Sequence, residues 1–207
     1  MTPSPVSLCF QRIKRWSGAV LHASVIGALS TCLGTGAALA QTFELKGDKQ
    51  LIAYTRDGQR TRIGTVKFEP AADAGSTRFV VQMDHAVLRD YFLSMREFKC
   101  LPAAEEVSCH VPYPYSQPGT IAQDNFVWLE HSLLFLFKRP SEFGAKLWNG
   151  VIYKFERTAT GLVGKPQAVD LNHISAPPDK LDVPPYGAVD RSEYAPDARW
   201  IRELRIE

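Results

Sequence analysis

Polar and apolar residues alternate through much of this chain beyond residue 40, and a period of two predicts strands. Residues 42–46 (Thr-Phe-Glu-Leu-Lys) read as one half-buried strand. Leu51–Arg56 and Gln59–Phe68 flank Asp57-Gly58, a pair that tolerates the positive φ of a tight reversal, so together they predict a hairpin. In its second arm Gly64, Val66 and Phe68 are expected on one face, with Ile63, Thr65 and Lys67 on the other. After a loop at 71–76, Thr77–Asp84 alternates again and groups Phe79, Val81 and Met83. Val87–Lys99 fits two periods. Leu88, Phe92 and Met95 make a helical stripe, whereas Tyr91, Leu93 and Met95 make an extended face. The expectation is a short helical or irregular piece entering a strand at Met95.

The period changes at Asp124–Phe137, where Phe126, Leu129, Leu133 and Phe137 recur at helical spacing. This segment predicts the main helix, with Asp124 or Thr120 available to cap its start and Arg139-Pro140 ending it. Trp128, Leu134 and Leu136 widen the apolar surface, so burial on more than one side is expected. Ser141–Trp148 has room for one helical turn. A second hairpin pairs Val151–Arg157 with Leu162–Asp170, and Trp200, Leu204 and Ile206 alternate in a closing strand. Residues 175–198 carry five prolines and read as a meandering loop lying against the body. The sum is an α+β domain, mainly antiparallel β: a partly open barrel or a sandwich-like sheet, with one main helix near 124–137.

The first forty residues follow a different pattern. Arg12, Lys14 and Arg15 precede an apolar run from Ala19 to Leu33, and small residues lead to Ala38-Leu39-Ala40. Basic, apolar, then small-x-small is the order of a secretory signal peptide. Cleavage near Ala40-Gln41 would leave a single secreted domain at 41–207, periplasmic or fully secreted, with no membrane-spanning segment. The apolar core is too short and too polar to remain as a spanning helix. A lipid-anchor reading of Leu29-Ser30-Thr31-Cys32 is weakened by Thr31, which stands where a smaller residue is usual.

Export changes what the cysteines and charges mean. Cys9 and Cys32 leave with the leader, so Cys100 and Cys109 are the one possible pair in an oxidising compartment and predict a disulfide. Eight intervening residues are too many for a thioredoxin-like redox pair. Three of the 24 Lys and Arg lie in the leader, against 22 Asp and Glu overall, so the remainder carries a balance of −1. Nothing in that balance suggests nucleic acid as a partner.

Chemical motifs are scarce. There is no G-x-S-x-G elbow, no H-E-x-x-H, no phosphate-binding glycine loop and no calcium loop, and no cofactor or metal site is expected. Asp84-His85 and Glu130-His131 are sequence neighbours that would not face each other on a strand or a helix. His85 reads as a solvated strand end and His131 as part of a helix's polar stripe. The more suggestive group is His110, Tyr113 and Tyr115, on a stiff proline-spaced segment tethered by the disulfide. Those rings either cover the end of the fold or form a recognition surface. Arg60 and Arg62 share a face of the first hairpin and could meet an anionic partner. The resulting expectation is a non-enzymatic binding or envelope-accessory domain whose partner is an envelope protein, a wall polymer or a small apolar ligand. Two alternatives stand beside it. One is a β-barrel carrier holding an apolar molecule among Phe79, Val81, Met83, Tyr153 and Phe155. The other is an exported hydrolase with a non-local site using His85, His110 or His131.

Overall fold

The computed structural model describes residues 43–93 and 96–207. The expected leader and its cleavage point lie outside the described residues, as do Thr42, Ser94 and Met95. No helix among the described residues is long and apolar enough to cross a membrane.

The strands are β1 (Gly47–Thr55), β2 (Arg60–Pro70), β3 (Ser76–Met83), β4 (Arg89–Leu93), β5 (Arg96–Pro102), β6 (Val107–His110), β7 (Thr120–Ala122), β8 (Phe135–Lys138), β9 (Gly150–Arg157), β10 (Leu162–Val169), β11 (Ser192–Glu193) and β12 (Ile201–Ile206). One helix, α1 (Val127–Ser132), precedes β8. The strands form one antiparallel sheet in the order β4-β5-β6-β8-β9-β10-β12-β1-β2-β3-β7, with β11 beside β10. The path does not close, and β4 and β7 are its two ends. Yet Phe68 and Phe79 from one half and Phe98, Val107 and Phe135 from the other share a single apolar cluster with Tyr153 and Leu204. The sheet is therefore folded over on itself, with the core between its halves.

The first hairpin forms as its turn residues require. Gly58 has φ +80°, its N–H donates to the Thr55 carbonyl at 3.0 Å, and Thr55 Oγ1 accepts the Gln59 N–H at 3.0 Å. The face assignment changes at a bulge: Leu51 pairs with Gly64 but Ile52 with Arg62, which leaves Ile63 as the extra residue. Ile63 is thereby turned inward and buried with Val66 and Phe68, rather than on the opposite face as strict alternation predicts. The run expected as a strand at 42–46 is irregular over its described part, and pairing begins at Gly47.

Two further expectations are corrected. The described residues of Val87–Lys99 hold no helix; they supply β4 and the start of β5, paired from Arg89↔Cys100 to Leu93↔Arg96. The helix expected at 124–137 is confined to Val127–Ser132, and its last three residues belong to β8. Neither Asp124 nor Thr120 caps it. Asp124 has φ +63° and pairs with Arg157 at 2.8 Å, and Thr120 lies in β7. At the other end Ser132 Oγ donates to the Trp128 carbonyl at 2.9 Å, and His131 Nδ1 donates to the Val127 carbonyl at 2.6 Å, side-chain bonds that compete with helix continuation. The apolar run then finds partners on both sides, since Phe135–Lys138 pairs with β6 and Phe135–Leu136 with β9.

Cys100 and Cys109 stand opposite each other across β5 and β6, both fully buried and joined as a disulfide. Residues 171–198 run as short turns held to the body at Tyr186, Arg191 and Tyr194.

Candidate functional site

Because the sheet does not close, β3 and the β5–β6 pair leave a groove of about 830 Å3 between the two halves of the fold. Arg62, Gly64 and Thr65 of β2, Val81 and Met83 of β3, and the Asp84-His85 turn line one side. Arg96–Lys99 of β5 with His110 and Pro112 line the other. Gly64 is required at this place: a Cβ there would stand 2.4 Å from the Gln82 carbonyl.

Most charges around the groove are already balanced. Arg62 donates to Asp84 Oδ2 at 2.8 Å, while Asp84 Oδ1 accepts the Ala86 N–H at 3.0 Å. Lys99 is paired with Asp90. Arg96 has no ion-pair partner among the described residues and lies 5.1 Å from the centre of the Phe98 ring. His110 is half-buried. Its Nε2 lies 3.0 Å from the Ser132 carbonyl, which can only accept, so that nitrogen carries the proton. Burial holds the His110 pKa below the ordinary histidine value. His85 is exposed at the rim.

Of the residues singled out in the sequence, Arg62, Val81, Met83 and His85 from one half of the sheet are brought together here with His110 from the other. Arg60, Tyr113, Tyr115 and His131 are not. Arg60 pairs with Glu207 and donates to Tyr54 Oη at 2.9 Å. Tyr113 is buried against Tyr115, Trp128 and His131, with its hydroxyl lacking a partner among the described residues. Tyr115 is half-buried and donates to the Ile174 carbonyl at 3.2 Å. His110, Tyr113 and Tyr115 thus do not present one exposed aromatic face. His131, expected on a polar stripe, is fully buried and stacked on Tyr186.

The residues that sequence reasoning passed over are Arg96 and Phe98. They became visible only once β4 and β5 paired, because the ambiguous period of 87–99 hid the strand that carries them. Chemically the groove offers cations, imidazoles, the exposed Glu97 carboxylate and an apolar floor. Thr65 has the only hydroxyl among the lining residues, and Asp84 is committed to Arg62. No cluster of three or more His, Cys, Asp or Glu suited to a metal occurs among the described residues. Phe79, Tyr153 and Phe155, named for a carrier cavity, lie in the buried apolar cluster and not along the groove. Comparison with protein-family models, curated proteins and solved structures finds no match for this chain.

Proposed function

We propose that this protein is an exported, non-enzymatic binding module that takes an extended polypeptide strand of an envelope partner into the groove. The observation that carries this reading is an unpaired length of sheet edge. Pairing between β3 and β7 ends at Arg78↔Thr120, and the Phe79 N–H still reaches the Gly119 carbonyl at 3.0 Å. Beyond that point no strand among the described residues pairs with the edge. The Asp84 N–H donates toward β2, to the Ile63 carbonyl at 2.8 Å. In an antiparallel ladder the N–H and C=O groups of Val81 and Met83 therefore turn away from β2, where they have no backbone partner among the described residues. A row of unpaired donors and acceptors is a template for another strand. Val81, Met83 and Phe98 would receive the strand's alternate apolar side chains, and Arg96 would meet a carboxylate.

Two features favour this over the alternatives. Phe79, Tyr153 and Phe155, which an apolar carrier would need around its ligand, lie in the buried apolar cluster and do not line the groove. A saccharide polymer would not match peptide groups spaced at two residues. Export is supported by the basic–apolar–small leader and by the disulfide.

The test is selection from a random peptide display, followed by amide exchange with the enriched peptide as probe. Amides 81 and 83 should exchange freely in the protein alone and become protected when the peptide binds. Val81→Pro removes an N–H that the β2–β3 ladder does not use, so it should weaken binding at least tenfold and leave the melting temperature nearly unchanged. The reading fails if no peptide is enriched, if protection falls elsewhere, or if Val81→Pro binds as tightly.

A further inference from the structure

A second cavity, of about 530 Å3, lies where the ends of β1, β5 and β8 meet the segment before β12. Four cations line it from three separate stretches of chain: Arg56, the neighbours Lys138 and Arg139, and Arg199. Two carboxylates line it as well, and both are occupied. Glu105 pairs with Arg56 at 2.6 Å. Glu106 accepts from Ser108 Oγ at 3.1 Å and faces Arg199 at 3.4 Å. Lys138 and Arg139 have no carboxylate within ion-pair distance among the described residues.

Lys138 is the unusual member. It is 5% exposed, and among the described residues its ammonium donates only to the Arg139 carbonyl, at 3.0 Å, which uses one of three donors. Burying an ammonium without a counter-charge is costly, and a fold retains such a group at little benefit to its own stability. Beside it the Arg199 guanidinium lies 3.4 Å from the centre of the Phe137 ring, which fixes its plane. Arg199 Nη1, the atom that faces Glu106 at 3.4 Å, is buried and makes no hydrogen bond among the described residues. The cavity therefore has two surplus positive charges and unused buried donors.

We infer that this cavity is an oxyanion site, taking a phosphate group either as the free ion or as the end of a phosphomonoester. Lys138 and Arg199 supply the buried donors, and Arg139 closes over the group from the exposed side. This site is independent of the groove and of any strand bound there.

Calorimetric titration of the whole protein with inorganic phosphate, and in parallel with glycerol 3-phosphate, tests the assignment. Saturable binding of at least one is expected at roughly millimolar concentration or below. Tighter binding of the monoester would identify an esterified phosphate as the natural group, and tighter binding of phosphate the free ion. Lys138→Met and, separately, the exposed Arg139→Gln should each weaken binding at least tenfold, while Arg60→Ala, outside the cavity, should not. Lys138→Met should also raise the melting temperature of the ligand-free protein, a change that a purely structural lysine would not give. The inference is overturned by absence of saturation with both probes below about 10 mM. It is equally overturned if Arg139→Gln binds normally, or if Lys138→Met melts lower while still binding phosphate.

Discussion

Tyr113 shows how much one side chain's direction decides. Prolines at 112 and 114 keep the segment extended, so Val111, Tyr113 and Tyr115 share one side while Pro112 and Pro114 are exposed on the other. That alternation was legible in the sequence; which side would face inward was not, because it depends on α1 packing from elsewhere in the chain. The tyrosine face turned inward, onto Trp128 and His131. Tyr113 paid for it with a buried hydroxyl that has no partner among the described residues, and burial pushes its pKa up. An unsatisfied buried hydroxyl costs about 1–3 kcal/mol. Tyr113→Phe keeps the ring contacts and removes that cost. It should stabilise the fold by about 1 kcal/mol, a rise in melting temperature of roughly 2–4 °C for a domain of this size. A lower melting temperature would show that the hydroxyl is bonded in solution.

Elements were legible where the period was single-valued. Both hairpins at Asp57-Gly58 and at 158–161, the strand at β3 and the closing strand β12 lie where alternation placed them. The failures have a common cause. Leu133–Phe137 is apolar at every position, so a helix and a buried strand are equally compatible with it, and only the free edges of β6 and β9 decide for the strand. Val87–Lys99 likewise satisfies both periods, and Arg96 and Phe98 of the groove were hidden with it. The segment 171–198 illustrates a third limit, since proline content predicts a loop but not its anchors. Glu130 on α1 holds the Arg191 guanidinium at 2.6 Å, with the two side chains only 7% and 10% exposed, and Arg191 also donates to the Tyr186 carbonyl. The second Glu130 oxygen accepts the Phe155 N–H at 2.9 Å. Arg191→Leu would leave that carboxylate buried and uncompensated, which should destabilise the protein by about 3–5 kcal/mol in denaturant unfolding. Adding Glu130→Gln, which keeps an acceptor for Phe155 without the charge, should recover part of the loss. If the double variant is no more stable than Arg191→Leu, the guanidinium acts through packing alone.

At the scale of the molecule, the three segments that cover the sheet meet at His131. The extended segment contributes Tyr113, α1 contributes Trp128 and His131 itself, and the long C-terminal loop contributes Tyr186, stacked at 5.5 Å. His131 Nδ1 donates to the Val127 carbonyl, so Nε2 is the bare nitrogen that accepts the Tyr186 N–H at 3.2 Å. Protonation would put a donor against a donor and a charge into an apolar box beside Arg191. Burial accordingly lowers the His131 pKa to about 4 from the ordinary 6.5, with Arg191 adding to the fall and the Val127 bond opposing it. Between those values the unfolded chain binds a proton that the folded protein refuses. Stability from this residue is thus complete above pH 6.5 and declines as acid carries the protein down through pH 4, by about 3 kcal/mol in all. Glu106 works the other way, because burial raises its pKa and its charged form is the disfavoured one. The comparison that isolates His131 is with His131→Gln, which does not titrate. Wild type should lose stability relative to this variant across that interval, and the gap should be constant above it. Parallel pH profiles for the two proteins would mean that the loop lifts off His131 before the acid limb begins, and the three segments would then not be locked together at this ring.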